Sequence, residues 1–309
     1  MKKTIAVSVL VCIMSTLLYL QYNNNAQTFA PKPLTIVTTT SMLADAVRNI
    51  VGDQIVVHGL MGPGVDPHLY HARESDVHKL AAADLVIYNG LHLEGKMGQV
   101  LEGMQRFTHV CAAAHTLNKE QLRSAEFEDL YDPHIWFDVT LWIAVVRCIQ
   151  EQIIALDPKH ADFYKQNGDD YIMHLEQLHK YVQQRVNELD AHNRILITAH
   201  DAFGYFGARY GFEVVGLQGL STDCDISTRD IQQLVDFIVE HKVSTIFVES
   251  SIPQRALVAV QNAVYARGWD VQLGAELYSD ALGDEQSGAS SYVAMVKYNV
   301  DAIVDALVG

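Results

Sequence analysis

Cysteine is scarce in this chain: Cys12, Cys111, Cys148 and Cys224 are the only four in 309 residues, and no two have Cys-x-x-Cys spacing. A disulfide-framework domain and a thiolate-held metal are therefore not supported. Cys111 and Cys148 sit in apolar surroundings and read as small core residues, whereas Cys224, in Thr222-Asp-Cys-Asp225, reads as exposed. Basic residues are also few, with 22 Lys and Arg against 37 Asp and Glu, a formal net charge of −15. Such a surface is a poor partner for nucleic acid or anionic membrane, but it concentrates cations. No His-Glu-x-x-His, Gly-x-Ser-x-Gly or glycine-rich phosphate loop is present. The common signatures of zinc peptidases, serine hydrolases and nucleotide-dependent enzymes are thus missing.

What is present begins with an export signature. Lys2-Lys3 is a short positive segment, Ile5–Leu20 is almost uninterruptedly apolar, and Asn23-Asn24-Asn25 closes it. The apolar stretch is short for a membrane span and right for a secretory signal. Residues 1–30 are therefore expected to be a signal peptide or a retained N-terminal membrane anchor, which places the protein in the periplasm or otherwise outside the cytoplasm.

Beyond residue 31, strand and helix signals alternate. Leu34–Thr39, Ile55–His58 and Asp84–Tyr88 read as strands, with helices from Ser41, taken as a cap, to Gly52 and over residues 72–83. The second half repeats the scheme, with strands at Ile195–Thr198, Phe212–Val215, Thr245–Val248 and Asp270–Leu273. Helices begin at Ser227, at Pro253 and at about Tyr292. Between the halves, Tyr171, Leu175, Leu178, Val182, Val186 and Leu189 recur at helical spacing after Pro158, which suits a first helical turn. The expected organisation is α/β: two βα lobes with parallel sheets, 32–157 and 191–309, joined by one long rigid helix within 158–190.

Asp-Pro-His occurs twice, as Asp66-Pro67-His68 and Asp132-Pro133-His134. Proline fixes its own φ and biases the preceding residue to extended geometry, so each motif aims an imidazole from a stiff loop. His200 ends the apolar run from Ile195, and Asp280 follows the strand at Asp270–Leu273. Parallel sheets place ligand sites at the carboxyl ends of their strands, which makes His68, His134, His200 and Asp280 candidate metal ligands. Glu249, closing Ile246-Phe-Val-Glu249, is the competing carboxylate; Asp66, Asp132 and Asp201 read as supporting or capping groups. The other histidines, among them His92 and His115, read as structural or surface side chains.

Gly59-Leu-Met-Gly-Pro-Gly-Val-Asp-Pro-His68, Asn89-Gly-Leu-His-Leu-Glu94, Asp132-Pro-His-Ile-Trp-Phe-Asp138, Thr198-Ala-His-Asp-Ala-Phe-Gly-Tyr205 and Glu276-Leu-Tyr-Ser-Asp-Ala-Leu-Gly283 carry a resemblance. Together they resemble the cluster A-I, TroA-like, substrate-binding proteins of zinc, manganese and iron ABC importers, over essentially all of 32–309. The resemblance implies one divalent transition-metal ion (Zn, Mn or Fe) held between two lobes by His68, His134, His200 and Asp280. It further implies a monomer that is not an enzyme and hands its ion to a membrane permease and ATPase. Zinc-dedicated relatives usually carry a His- and Asp-rich loop, and Leu117–Leu130 here contains no histidine, which tilts the expectation toward a broader metal range. An exported metal-dependent hydrolase and a surface adhesin are the alternatives from other classes. The first needs an open coordination position for water, and the second needs no converging ligands.

Overall fold

Four short segments form the strands of the first half: Thr35–Thr38 (β1), Val56–Gly59 (β2), Leu85–Tyr88 (β3) and His109–Ala112 (β4). The structure, a computed structural model, describes residues 32–124 and 130–308, with Met14 and Thr16 near the N-terminus. The expected signal of residues 1–30 falls, but for those two, outside the described residues. β1–β4 pair in parallel in the order β2-β1-β3-β4. Parallel neighbours require crossovers, and helices α1 (Ser41–Val51), α2 (Glu74–Ala82) and α3 (Gly98–Met104) supply them.

The second half repeats the plan with β5 (Ile195–His200), β6 (Glu213–Gln218), β7 (Thr245–Ile246) and β8 (Gln272–Leu273), all described pairings being parallel. Phe247 N–H donates to Ile197 C=O at 2.8 Å and links the two strand pairs. Helices α6 (Gly204–Tyr210), α7 (Thr228–His241), α8 (Arg255–Ala266) and α9 (Tyr292–Leu307) complete this half. α/β architecture with two βα lobes is thus what the chain adopts.

The halves meet along α4 (Val139–Leu156) and α5 (Ala161–Val186). α5 has 26 residues, about 39 Å at 1.5 Å per residue, longer than the apolar stripe alone predicts. Pro158 opens a 3₁₀ turn, Pro158–His160, that runs straight into it. Gly168 does not divide it. Gln150 of α4 lies against that glycine and donates from Nε2 to Tyr164 C=O at 3.2 Å and Lys165 C=O at 2.9 Å. α4 escaped the strand-helix reading, being apolar on most faces. Among the described residues it is the one helix long and apolar enough to cross a membrane, yet Trp142, Val145, Val146 and Ile149 bury it in the core. That core is continuous from Ile36 and Leu43 through Tyr171, Leu175 and Leu178 to Phe247, Leu277 and Tyr292.

One cap differs from the sequence reading. Thr40, not Ser41, is the N-cap of α1, its side chain accepting from Leu43 N–H. Ser41 Oγ instead accepts from Leu282 N–H at 2.8 Å, tying α1 to the segment that carries Asp280.

Candidate metal centre

Each candidate side chain leaves the carboxyl side of its strand or sheet. His68 lies in the loop after β2, where Gly64 takes φ +68°. His134 precedes the 3₁₀ turn Ile135–Phe137, and His200 is the last residue of β5. Asp280 follows Leu277, which bridges in parallel to Glu249 beyond β7. All four side chains are essentially buried, at 4%, 0%, 0% and 1% exposure for His68, His134, His200 and Asp280.

They converge on one point. His68 Nε2 is 3.3 Å from His134 Nε2 and 3.7 Å from Asp280 Oδ2. His134 Nε2 is 3.6 Å from Asp280 Oδ1, and His200 Nε2 is 3.2 Å from Asp280 Oδ2. One ligand atom from each residue can be chosen so that all lie within 4.8 Å of one another. A tetrahedral ion about 2.0–2.1 Å from each donor separates the donors by about 3.3 Å. The spacing therefore suits a single ion with little rearrangement. His200 Nε2 and both Asp280 oxygens are buried without a hydrogen-bond partner, a costly state for polar atoms unless something else satisfies them.

The surroundings orient the rings. Asp132 Oδ1 accepts from His134 Nδ1–H at 2.8 Å and from the His134 backbone N–H at 2.9 Å. Glu249 does the same for His200, Oε2 taking Nδ1–H at 2.7 Å and Oε1 the backbone N–H at 2.9 Å. A carboxylate on Nδ1 fixes the tautomer, frees Nε2 to ligate and raises its basicity. Glu249, the competing carboxylate of the sequence reading, thus sits on the far side of the His200 ring from the convergence point. Asp66 accepts from His68 N–H at 2.8 Å, while Asp201 leaves Oδ1 buried and unpartnered.

Charge follows burial and neighbours. Burial pushes the His68 imidazole down to about 3, against the pull of Asp280. Burial also works to lower His200, but Glu249 and then Asp280 outweigh it and hold the ring well above its usual value. Burial alone would raise Asp280, yet His200 foremost, then His134 and His68, hold it below the carboxylate range. Desolvation raises Asp66 and Asp201.

Several further residues shape the site without facing the convergence point. Trp136 Nε1–H donates to Ser279 C=O at 2.9 Å and Tyr292 O–H to Trp136 C=O at 2.7 Å, fixing the backbone beside Asp280. Asn89 Nδ2–H donates to Pro133 C=O at 3.0 Å, bracing the second Asp-Pro-His. Buried Glu94 accepts from Asn89 N–H, Gly90 N–H and Thr39 O–H at 2.7, 3.1 and 2.7 Å. That clamp holds the turn in which Leu91 and His92 adopt φ +54° and +65°, a left-handed geometry that non-glycine residues reach only at a cost. Trp136, Ser279, Asn89 and Glu94 all lie in motif segments singled out by sequence, but without a role there, whereas Thr39 and Tyr292 do not. His92 lines a cavity of about 670 Å³ opening on His68, with Asp201 and Cys224 also in its wall. Cys224 is exposed, as its sequence context predicted, while Cys111 and Cys148 are half-buried.

The family profile of ZnuA, zinc-uptake complex component A periplasmic, matches residues 36–306. The zinc-binding protein TroA of Treponema pallidum is similar at 48% identity over 276 residues, 89% of each chain. The manganese-binding lipoprotein MntA of Bacillus subtilis is 43% identical over 278 residues, 90% of this chain and 91% of that one. The solved structure of the periplasmic zinc-binding protein TroA from Treponema pallidum superposes with a TM-score of 0.88 at 47% identity, covering 89% of this chain and 99% of the other.

Proposed function

Since the chain belongs to the family of periplasmic zinc-uptake component A proteins, we propose that it captures one divalent transition-metal ion outside the cytoplasm and delivers it to an ABC importer. The family consists of metal-binding solute-binding proteins, not enzymes. The observation that carries the reading is the buried convergence of His68, His134, His200 and Asp280, with three of their polar atoms unpartnered. We assign these four as the ligands. Four protein donors complete a tetrahedron, and a metallohydrolase needs a position left for water, so the same convergence disfavours the catalytic alternative. An adhesin would have no use for it.

The donor set is three imidazoles and one carboxylate, borderline in softness and suited to zinc, manganese or iron. The absence of a histidine from Leu117–Leu130 and the zinc- and manganese-binding names of its relatives support a receptor of broad range. The chain is proposed to act as a monomer, with residues 1–30 as its export signal or anchor, lobes at 32–157 and 191–309, and the connecting helix within 158–190. The test is metal analysis of protein purified without added metal, with competition titrations of Zn²⁺, Mn²⁺ and Fe²⁺. One ion per chain is expected; no binding of any of the three would overturn the reading.

A further inference from the structure

His68 is held differently from its two partners. His134 and His200 each rest Nδ1 on a carboxylate, whereas among the described residues no carboxylate bonds the His68 Nδ1. The His68 arm is fixed through its backbone N–H, which donates to Asp66 Oδ1 at 2.8 Å. The other oxygen of that carboxylate, Oδ2, accepts from Thr222 O–H at 2.6 Å, 156 residues away in the other half of the chain. Next to Thr222, Asp223 Oδ2 lies 2.6 Å from Lys96 Nζ, a second tie between the halves. Gly219, Leu220, Ser221 and Cys224 of the same segment wall the cavity of about 670 Å³ that opens on His68. Residues 219–224 therefore line the cavity that opens on His68 and are tied to the other half of the chain at two points.

The two pins are unequal. Lys96 and Asp223 are 34% and 49% exposed, so solvent and salt screen their attraction. The Thr222 hydroxyl meets a partly buried carboxylate, and a charge-assisted bond of that kind is the stronger. We infer that Thr222 is a positioning residue for His68, and that through Asp66 it sets how fast the bound ion leaves. The inference rests on the proposed reading of His68 as a metal ligand.

The test is a stopped-flow chase of Zn²⁺-loaded full-length protein with excess chelator, on wild type, Thr222→Val, Thr222→Ser and Asp223→Asn. Trp136, with its ring centroid 5.3 Å from that of His134, provides an intrinsic fluorescence signal. Thr222→Val keeps the shape and removes the donor, so Zn²⁺ dissociation should speed up roughly tenfold, the usual worth of one charge-assisted hydrogen bond. Thr222→Ser restores the hydroxyl and should return the wild-type rate, a rescue that loss of packing alone would not give. Asp223→Asn should have a smaller effect that vanishes at high salt. A Thr222→Val rate equal to wild type, or equal acceleration in Thr222→Val and Thr222→Ser, would overturn the positioning role. Wild-type protein that retains none of Zn²⁺, Mn²⁺ and Fe²⁺ would overturn the ligand assignment instead, a separate failure visible before any variant is compared.

Discussion

His200 Nδ1 lies 2.7 Å from Oε2 of Glu249, and across the same ring its Nε2 lies 3.2 Å from Oδ2 of Asp280. The two carboxylates that sequence leaves in competition therefore have different tasks. Asp280 faces the convergence point, with its oxygens 3.2–3.7 Å from the Nε2 atoms of the three histidines, whereas Glu249 turns the His200 ring toward it.

Substitution should separate those tasks. Asp280→Ala, like His68→Ala, His134→Ala and His200→Ala, is expected to weaken metal binding by more than about 100-fold, because a donor is lost. Glu249→Gln and Asp132→Asn should weaken it by roughly 10- to 100-fold, the range for partners that orient a ligating imidazole. Calorimetric titration with Zn²⁺ checks the order; a larger effect in Glu249→Gln than in Asp280→Ala would reverse the assignment.

Proton release upon binding near neutral pH should include one proton from His200 and none from His68. Glu249 and Asp280 hold the His200 imidazole well above its usual value, so in the metal-free protein it carries a proton that must leave before Nε2 can ligate. His68, pushed down to about 3, is already neutral and contributes no proton in mild acid. Affinity should thus fall on acidification, with His200 contributing a proton and His68 none. Calorimetry in buffers of differing ionisation enthalpy counts the protons, and a count near three or near zero contradicts this charge distribution.

Gly168→Ala should destabilise the protein despite improving helix propensity. Alanine gains about 1 kcal/mol in a helix interior. Its Cβ would collide with the side-chain amide of Gln150 and displace the bonds to Tyr164 and Lys165, each worth about 1 kcal/mol before the penalty of leaving a buried amide unpaired. A net loss of about 1–2 kcal/mol is expected in urea unfolding, relieved by adding Gln150→Ala. A stabilised single variant would show that Gln150 repacks freely.

Metal loading should leave the molecule close to its metal-free dimensions. The apolar face of α5, from Tyr164 through Leu175 to Val186, is buried in a core that also holds Ile36 from one half and Phe247 from the other. A wide rotation would strip that packing and break helix hydrogen bonds, unlike closure about flexible crossing strands. Small-angle scattering with and without Zn²⁺ should show nearly equal radii of gyration, and a large decrease on loading would refute the stiff connection.

The sequence by itself determined the elements whose causes are local. The α/β alternation, the amphipathic stripe of α5, and the final helix, found at Tyr292–Leu307 as its periodicity predicts, follow from spacing and caps. The two Asp-Pro-His loops likewise follow from proline's fixed geometry. Tertiary structure decided what depends on distant partners. The strand after Thr245 pairs through only two residues before its backbone bonds to Leu277 instead, and Ser41 turns from a helix cap into an acceptor for Leu282. The tasks of Glu249, Trp136 and Thr222 were invisible for the same reason. Each depends on a hydrogen bond spanning 49, 143 or 156 residues of sequence, and no local periodicity or motif encodes which side chains a folded core will bring into contact.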